Sequence, residues 1–186
     1  MFGSSLSHMT GKRIRPRVTV GRVLELGPGG LWPGLELLRA NPDLDLVGLG
    51  FEEAERKAAV AQARAWGVAD RAEYLPQAGL PLGLPDRSVE AVVSFGSLAM
   101  WPQPLDLLNE LARVLKVEGE YFIGVPRSGL PAWRKWLATG PEALKRAYQQ
   151  AAMDADRVRR LLSQSQLERG SVETHGPDVW IVRKAH

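Results

Sequence analysis

The sequence predicts an α/β fold: a mostly parallel β-sheet with helices on both faces, closed at the carboxyl end by an antiparallel hairpin. Three observations carry this. Short apolar runs alternate with helical stretches of about ten or more residues from Val18 to Val125. The first run ends in a glycine-rich turn, and the last two strand-like runs flank Gly176-Pro177. The 186 residues, 45% hydrophobic and 24% charged, suit one domain with one sizeable core.

The first strand is expected within Val18 to Leu26, where Val23-Leu24-Glu25-Leu26 runs into Gly27-Pro28-Gly29-Gly30. A helix over Leu31 to Ala40 comes next, with Leu35, Leu37 and Leu38 apolar. Asp45 to Gly50 is the second strand, and Phe51 to Trp66 the second helix. Glu52, Glu53 and Glu55 lie in its first turn, where the helix dipole favours carboxylates. Arg71 to Leu75 reads as a third strand and Leu80 to Asp86 as a proline-punctuated loop. A fourth strand, Ser88 to Ser94, ends in Phe95-Gly96-Ser97. The helix over Pro104 to Leu115 spaces Leu105, Leu108, Leu111, Ala112 and Leu115 along one side, and Glu118-Gly119 turns the chain into a strand over Glu120 to Val125. Leu130 to Gln166 holds no strand-like run and reads as two helices, and Ser171 to Thr174 with Val179 to Arg183 as the closing hairpin.

Composition excludes several chemistries. There is no cysteine, so thiol nucleophiles, disulfides and cysteine-rich zinc sites are absent. The three histidines, His8, His175 and His186, are too scattered for a metal cluster, and no metal is expected. A net charge of +3 from 24 basic and 21 acidic residues is a mixed surface with no basic stripe for nucleic acid. No apolar run approaches the roughly 20 residues of a membrane-spanning helix, and the Gly/Ser-rich start is unlike a secretory signal. A cytoplasmic location is the expectation. The Lys12-Arg13-Ile14-Arg15-Pro16-Arg17 run is read as a solvated arm, with contact to an acidic partner as the other possibility.

Val23-Leu24-Glu25-Leu26-Gly27-Pro28-Gly29-Gly30 resembles the first motif of class I S-adenosylmethionine-dependent methyltransferases. Glycine-rich strand-to-helix turns are common in nucleotide-binding folds, so the motif gains weight only from matches farther along the chain. Leu84 to Ser94, then Trp101-Pro102-Gln103-Pro104, then Asn109 to Gly119 are similar to the small-molecule branch of that family in order, spacing and residue type. The resemblance implies a Rossmann-like, doubly wound, seven-stranded sheet, with the cofactor across the carboxyl ends of its first half. The chain is accordingly divided into a flexible arm over 1–17 and a single methyltransferase-like domain over 18–186, whose helical insertion at 130–166 would be a lid if it folds over the site.

Carried over residue by residue, the resemblance implies a cofactor site at Glu25, Gly27, Pro28, Gly29, Gly30, Gly50, Phe51, Gln77, Ala78 and Ser94. Gly27 and Gly29 would let the backbone approach the cofactor, Pro28 would stiffen the turn, and Glu25 would face the methionine ammonium. Three positions depart from the family. Leu31 stands where it has a third glycine, Gly50 where an acidic residue takes the ribose hydroxyls, and Gln77 where an aspartate meets the adenine amino group. Glu52 and Glu53 are candidates to replace the missing carboxylate, against a plainer role as exposed first-turn acids. A nicotinamide cofactor fits less well, because its Gly-x-Gly-x-x-Gly fingerprint would need glycine at Trp32.

Methyl transfer from a sulfonium needs alignment more than a general base, so no catalytic residue is singled out. Phe95, Ser97, Trp101 and Trp133 are the candidate substrate contacts. Trp101 either walls a pocket over the methyl group or packs under the following helix, and Trp133 with Trp136 is either a cage or core. No Asn/Asp-Pro-Pro-Tyr signature comes after the fourth strand, which disfavours nucleic acid as substrate. Two functions remain: a methyltransferase acting on a small molecule, or a methyltransferase-like binding or assembly protein that has lost its cofactor.

Overall fold

The computed structural model describes residues 9–27, 33–50, 52–76, 79–126, 153–176 and 178–184. They form β1 (Gly21–Leu26), α1 (Pro33–Ala40), β2 (Leu44–Leu49), α2 (Glu53–Ala65), β3 (Ala72–Tyr74), β4 (Val89–Phe95), α3 (Ser97–Met100), α4 (Pro104–Val114), β5 (Leu115–Pro126), α5 (Ala155–Gln164), β6 (Gly170–His175) and β7 (Asp178–Arg183). The seven strands make one sheet in the order β3-β2-β1-β4-β5-β7-β6. The first five strands pair in parallel, and β7 joins β5 and β6 antiparallel. The doubly wound, mostly parallel sheet with a carboxyl-terminal hairpin is the expected fold.

Alternation along the central strands assigns a helix layer to each face. Leu24 and Leu26 of β1, Val92 of β4 and Ile123 of β5 pack with Leu107, Leu108 and Leu111 of α4 and Val158 of α5. Val23, Val93 and Phe122 face the other way, onto Leu35 and Leu38 of α1 and Ala59 and Ala63 of α2. Both faces of the strands are therefore apolar, as a covered parallel sheet requires.

Two elements differ from expectation. The chain before β1 is not a solvated arm over its described part. Met9–Ile14 is a short π-helical segment in which Met9 and Ile14 are buried in the second apolar layer. Two of the four cations before β1 are tied down: Arg13 pairs with Glu173 at 3.0 Å, and Arg17 pairs with Glu120 at 2.6 Å and lies over the Phe122 ring, while Lys12 and Arg15 are exposed. The turn expected at Glu118-Gly119 is an irregularity within one long strand, because α4 runs directly into β5 and the register shifts between Val89 and Ala91. Glu118 takes a left-handed φ of 66° there.

The 130–166 insertion is described only from residue 153 onward, where α5 begins on an Asp154 cap that accepts from Arg157 N–H at 2.7 Å. Among the described residues, no helix is long and apolar enough to cross a membrane.

Candidate functional site

From β1 the chain moves outward through β2 to β3, then returns to place β4 on the other side of β1. Such a reversal opens a crevice outside the carboxyl ends of the two central strands, where open α/β sheets bind ligands. Backbone hydrogen bonds hold that edge together: Gly27 N–H donates to Leu49 O at 2.8 Å, Leu75 N–H to Gly48 O at 2.9 Å, and Gly96 N–H to Gly124 O at 2.8 Å. Of the residues carried over by resemblance, Glu25, Gly27, Gly50, Ser94, Phe95, Ser97 and Trp101 are described at or near this edge. Pro28, Gly29, Gly30, Leu31, Trp32, Phe51, Gln77, Ala78, Trp133 and Trp136 lie outside the described residues.

Glu25 points into the α1 face of the sheet, because it shares the parity of Val23. Its carboxylate is buried and accepts from Gly34 N–H at 3.1 Å and from the Tyr74 hydroxyl at 3.3 Å. Burial pushes its pKa up to about 7 against the lowering effect of those two donors. Burial, with the Glu25 carboxylate alongside, also raises the Tyr74 phenol. Glu25 joins the first turn of α1 to the end of β3.

Ser94 and Ser97 form a hydroxyl relay. Ser97 Oγ donates to Leu26 O at 3.0 Å, and the two serine hydroxyls share a short hydrogen bond. Leu26 and Ser94 are register partners on β1 and β4, so the relay clasps the two strand ends that border the crevice. Ser97 has no exposed surface; it positions these ends and does not line the crevice. Phe95 is likewise part of the core, stacked at a tilt on Trp180 with ring centroids 5.6 Å apart. Gly124 makes that contact possible, since a Cβ there would lie 2.5 Å from Phe95 Cδ2 and 2.8 Å from Trp180 Cη2.

Gly50 directly follows β2 with a left-handed φ of 79°, and a Cβ on it would lie 3.1 Å from Gly27 O. Glycine is thus favoured by the backbone at this position, which carries no side chain of its own. The Trp101 indole reaches the same place, its Cζ3 3.6 Å from where that Cβ would be. The ring is partly buried against the α4-side core. The two neighbouring acids have partners on α2. Glu52 and Glu55 cap α2 reciprocally, and Glu53 pairs with Lys57 at 2.6 Å.

Gly34, Tyr74 and Trp180 escape sequence reasoning. Gly34 has a usable signal, a glycine inside a predicted helix, which implies close backbone approach. Its missing Cβ leaves room for Leu46 Cδ1, 2.6 Å from where it would sit. Tyr74 and Trp180 have none, since their partners lie 49 and 85 residues away along the chain. Among the described residues, no group of three or more His, Cys, Asp or Glu is placed to hold a metal.

A doubly wound sheet in this strand order, with a glycine floor at its switch point, defines a Rossmann-like nucleotide-cofactor fold of the class I methyltransferase type. The chain belongs to the S-adenosylmethionine-dependent methyltransferase family: the family model described as a methyltransferase domain matches residues 24–123, from β1 into β5. Solved structures share the fold. A SAM-dependent methyltransferase from Aquifex aeolicus superposes with a TM-score of 0.72 at 18% identity, over 95% of this chain and 92% of that one. An O-methyltransferase family protein from Burkholderia thailandensis gives 0.71 at 14% identity, over 95% of this chain and 54% of that one. PigF, solved with SAH, gives 0.66 at 14%, over 97% and 61%. No curated protein matches the sequence.

Proposed function

We propose that this protein binds S-adenosylmethionine in the crevice at the ends of β1, β2 and β4 and transfers its methyl group to a small molecule. The observation that carries this reading is the reversal of strand order at β1, where β4 lies on one side and β2 on the other, with Gly27 directly after β1 and Gly50 directly after β2 at a left-handed φ of 79°.

Bound S-adenosylmethionine supplies a sulfonium-activated methyl group. The residues of the chain are asked only to position it. Ser97 and Ser94 fix the spacing of the β1 and β4 ends, and Glu25 with Gly34 and Tyr74 fixes the start of α1. Alignment of an in-line displacement is sufficient chemistry for an acceptor that arrives with its own nucleophile. A small acceptor is favoured because Ser94-Phe95-Gly96-Ser97 stands where amino-directed nucleic-acid methylation uses Asn/Asp-Pro-Pro-Tyr, and because the chain has no cysteine for thiol-dependent base methylation.

Thermal unfolding with added S-adenosylmethionine or S-adenosylhomocysteine (SAH) tests the reading. Ligand at a hundred times its Kd stabilises by about 2.7 kcal/mol, which for a chain of this size raises Tm by roughly 5–10 °C. No rise with either ligand at millimolar concentration would leave the binding or assembly reading in its place.

A further inference from the structure

We propose that Trp101 is the nucleoside-contacting residue of this site, and that the site grips its cofactor by the indole surface without reading the ribose hydroxyls. This specificity rests on the cofactor reading and adds to it. In dinucleotide-binding folds the ribose hydroxyl is held by an acidic side chain about 20 residues beyond the glycine turn. Here the residue after β2 is Gly50, whose φ of 79° and 3.1 Å Cβ approach to Gly27 O bar an unstrained carboxylate. The next two acids are engaged, Glu52 in capping α2 and Glu53 with Lys57.

What occupies that position is the indole. Trp101 comes directly after α3, and its N–H donates to Ser97 O at 3.0 Å, so the residue is anchored to the same serine that clasps β1 to β4. From there its ring crosses to within 3.6 Å of the absent Gly50 side chain. Trp101 packs on the core yet stays half-buried, so it presents an apolar surface over the Gly50 backbone. Contact with such a surface depends on area and shape and is indifferent to a single hydroxyl. A carboxylate would discriminate sharply, because a hydrogen bond to a charged group changes affinity by about 10- to 100-fold.

Calorimetric titration of SAH and its 2′-deoxy and 3′-deoxy analogues into the wild-type chain, Trp101→Ala and Trp101→Phe tests the proposal. The three ligands should bind the wild type within about threefold of one another. Trp101→Ala should weaken all three alike, by about 5- to 100-fold, as loss of an aromatic platform does, and Trp101→Phe should retain most of the affinity. A deoxy analogue binding tenfold or more weaker than SAH overturns the proposal and leaves cofactor binding intact. So does a Trp101→Ala variant that binds SAH as tightly as the wild type or more tightly, which would make the indole a bystander or an obstacle. Failure of SAH to bind the wild type at all overturns both readings.

Discussion

Replacing Glu25 with glutamine should remove a pH dependence of stability that the wild type carries between about pH 4.5 and 7.5. The buried carboxyl has its pKa pushed up to about 7 from an ordinary 4.5. Below the ordinary value both folded and unfolded chains hold the proton, and nothing is lost. As pH rises, the unfolded chain releases the proton first while the folded chain keeps it, so stability falls until the folded pKa is passed. The slope is about 1.4 kcal/mol per pH unit and the total about 3 kcal/mol. Glutamine fits the same place, its carbonyl accepting from Gly34 N–H and its amide donating to the Tyr74 hydroxyl oxygen. Glu55, whose pKa burial also raises, is present in both proteins and cancels in the comparison, whereas Glu36, whose charge helps raise Glu25, belongs to the difference through that coupling. Urea unfolding of both proteins across this range should show Glu25→Gln gaining on the wild type by about 3 kcal/mol from acid to pH 8. A difference that stays constant with pH would refute a buried, neutral Glu25.

Three further substitutions test the packing around the crevice. Gly124→Ala drives a methyl group into the Phe95 and Trp180 rings and should cost about 1–3 kcal/mol, read as a lower Tm. Ser97→Ala leaves Leu26 O and Ser94 without their shared hydroxyl, and should cost about 1–3 kcal/mol by urea unfolding while leaving the far-UV spectrum unchanged. Arg17→Ala removes an ion pair, a ring contact and a hydrogen bond to Arg183 O at 3.0 Å. It should raise proteolysis or hydrogen exchange ahead of β1 before it affects the sheet.

The fold is legible in the sequence because its signals are local. Strand-length apolar runs, the glycine turn and the helical spacing of Leu108, Leu111 and Ala112 each sit within a dozen residues. The segment before β1 is misread because its charges dominate the local pattern, whereas Ile14 is buried and the partners of Arg13 and Arg17 are Glu173 and Glu120. No window of sequence contains both ends of those pairs. At the site, Gly27 and Gly50 are identifiable as positions, but the sequence alone reads Gly50 as a lost carboxylate. The structure shows a backbone conformation that calls for glycine, and only the folded chain brings Trp101 onto it. Ser97 shows the reverse error: a hydroxyl beside the crevice looks like a substrate contact, and its proton goes to Leu26 O.

The central claim is that the glycine-floored crevice takes an adenosyl cofactor, and direct calorimetric titration of SAH into the purified chain tests it most directly. Saturable binding at one site per chain, weakened by Trp101→Ala, is the predicted result. A titration that shows no saturable heat up to millimolar SAH, on protein that unfolds cooperatively, would contradict it.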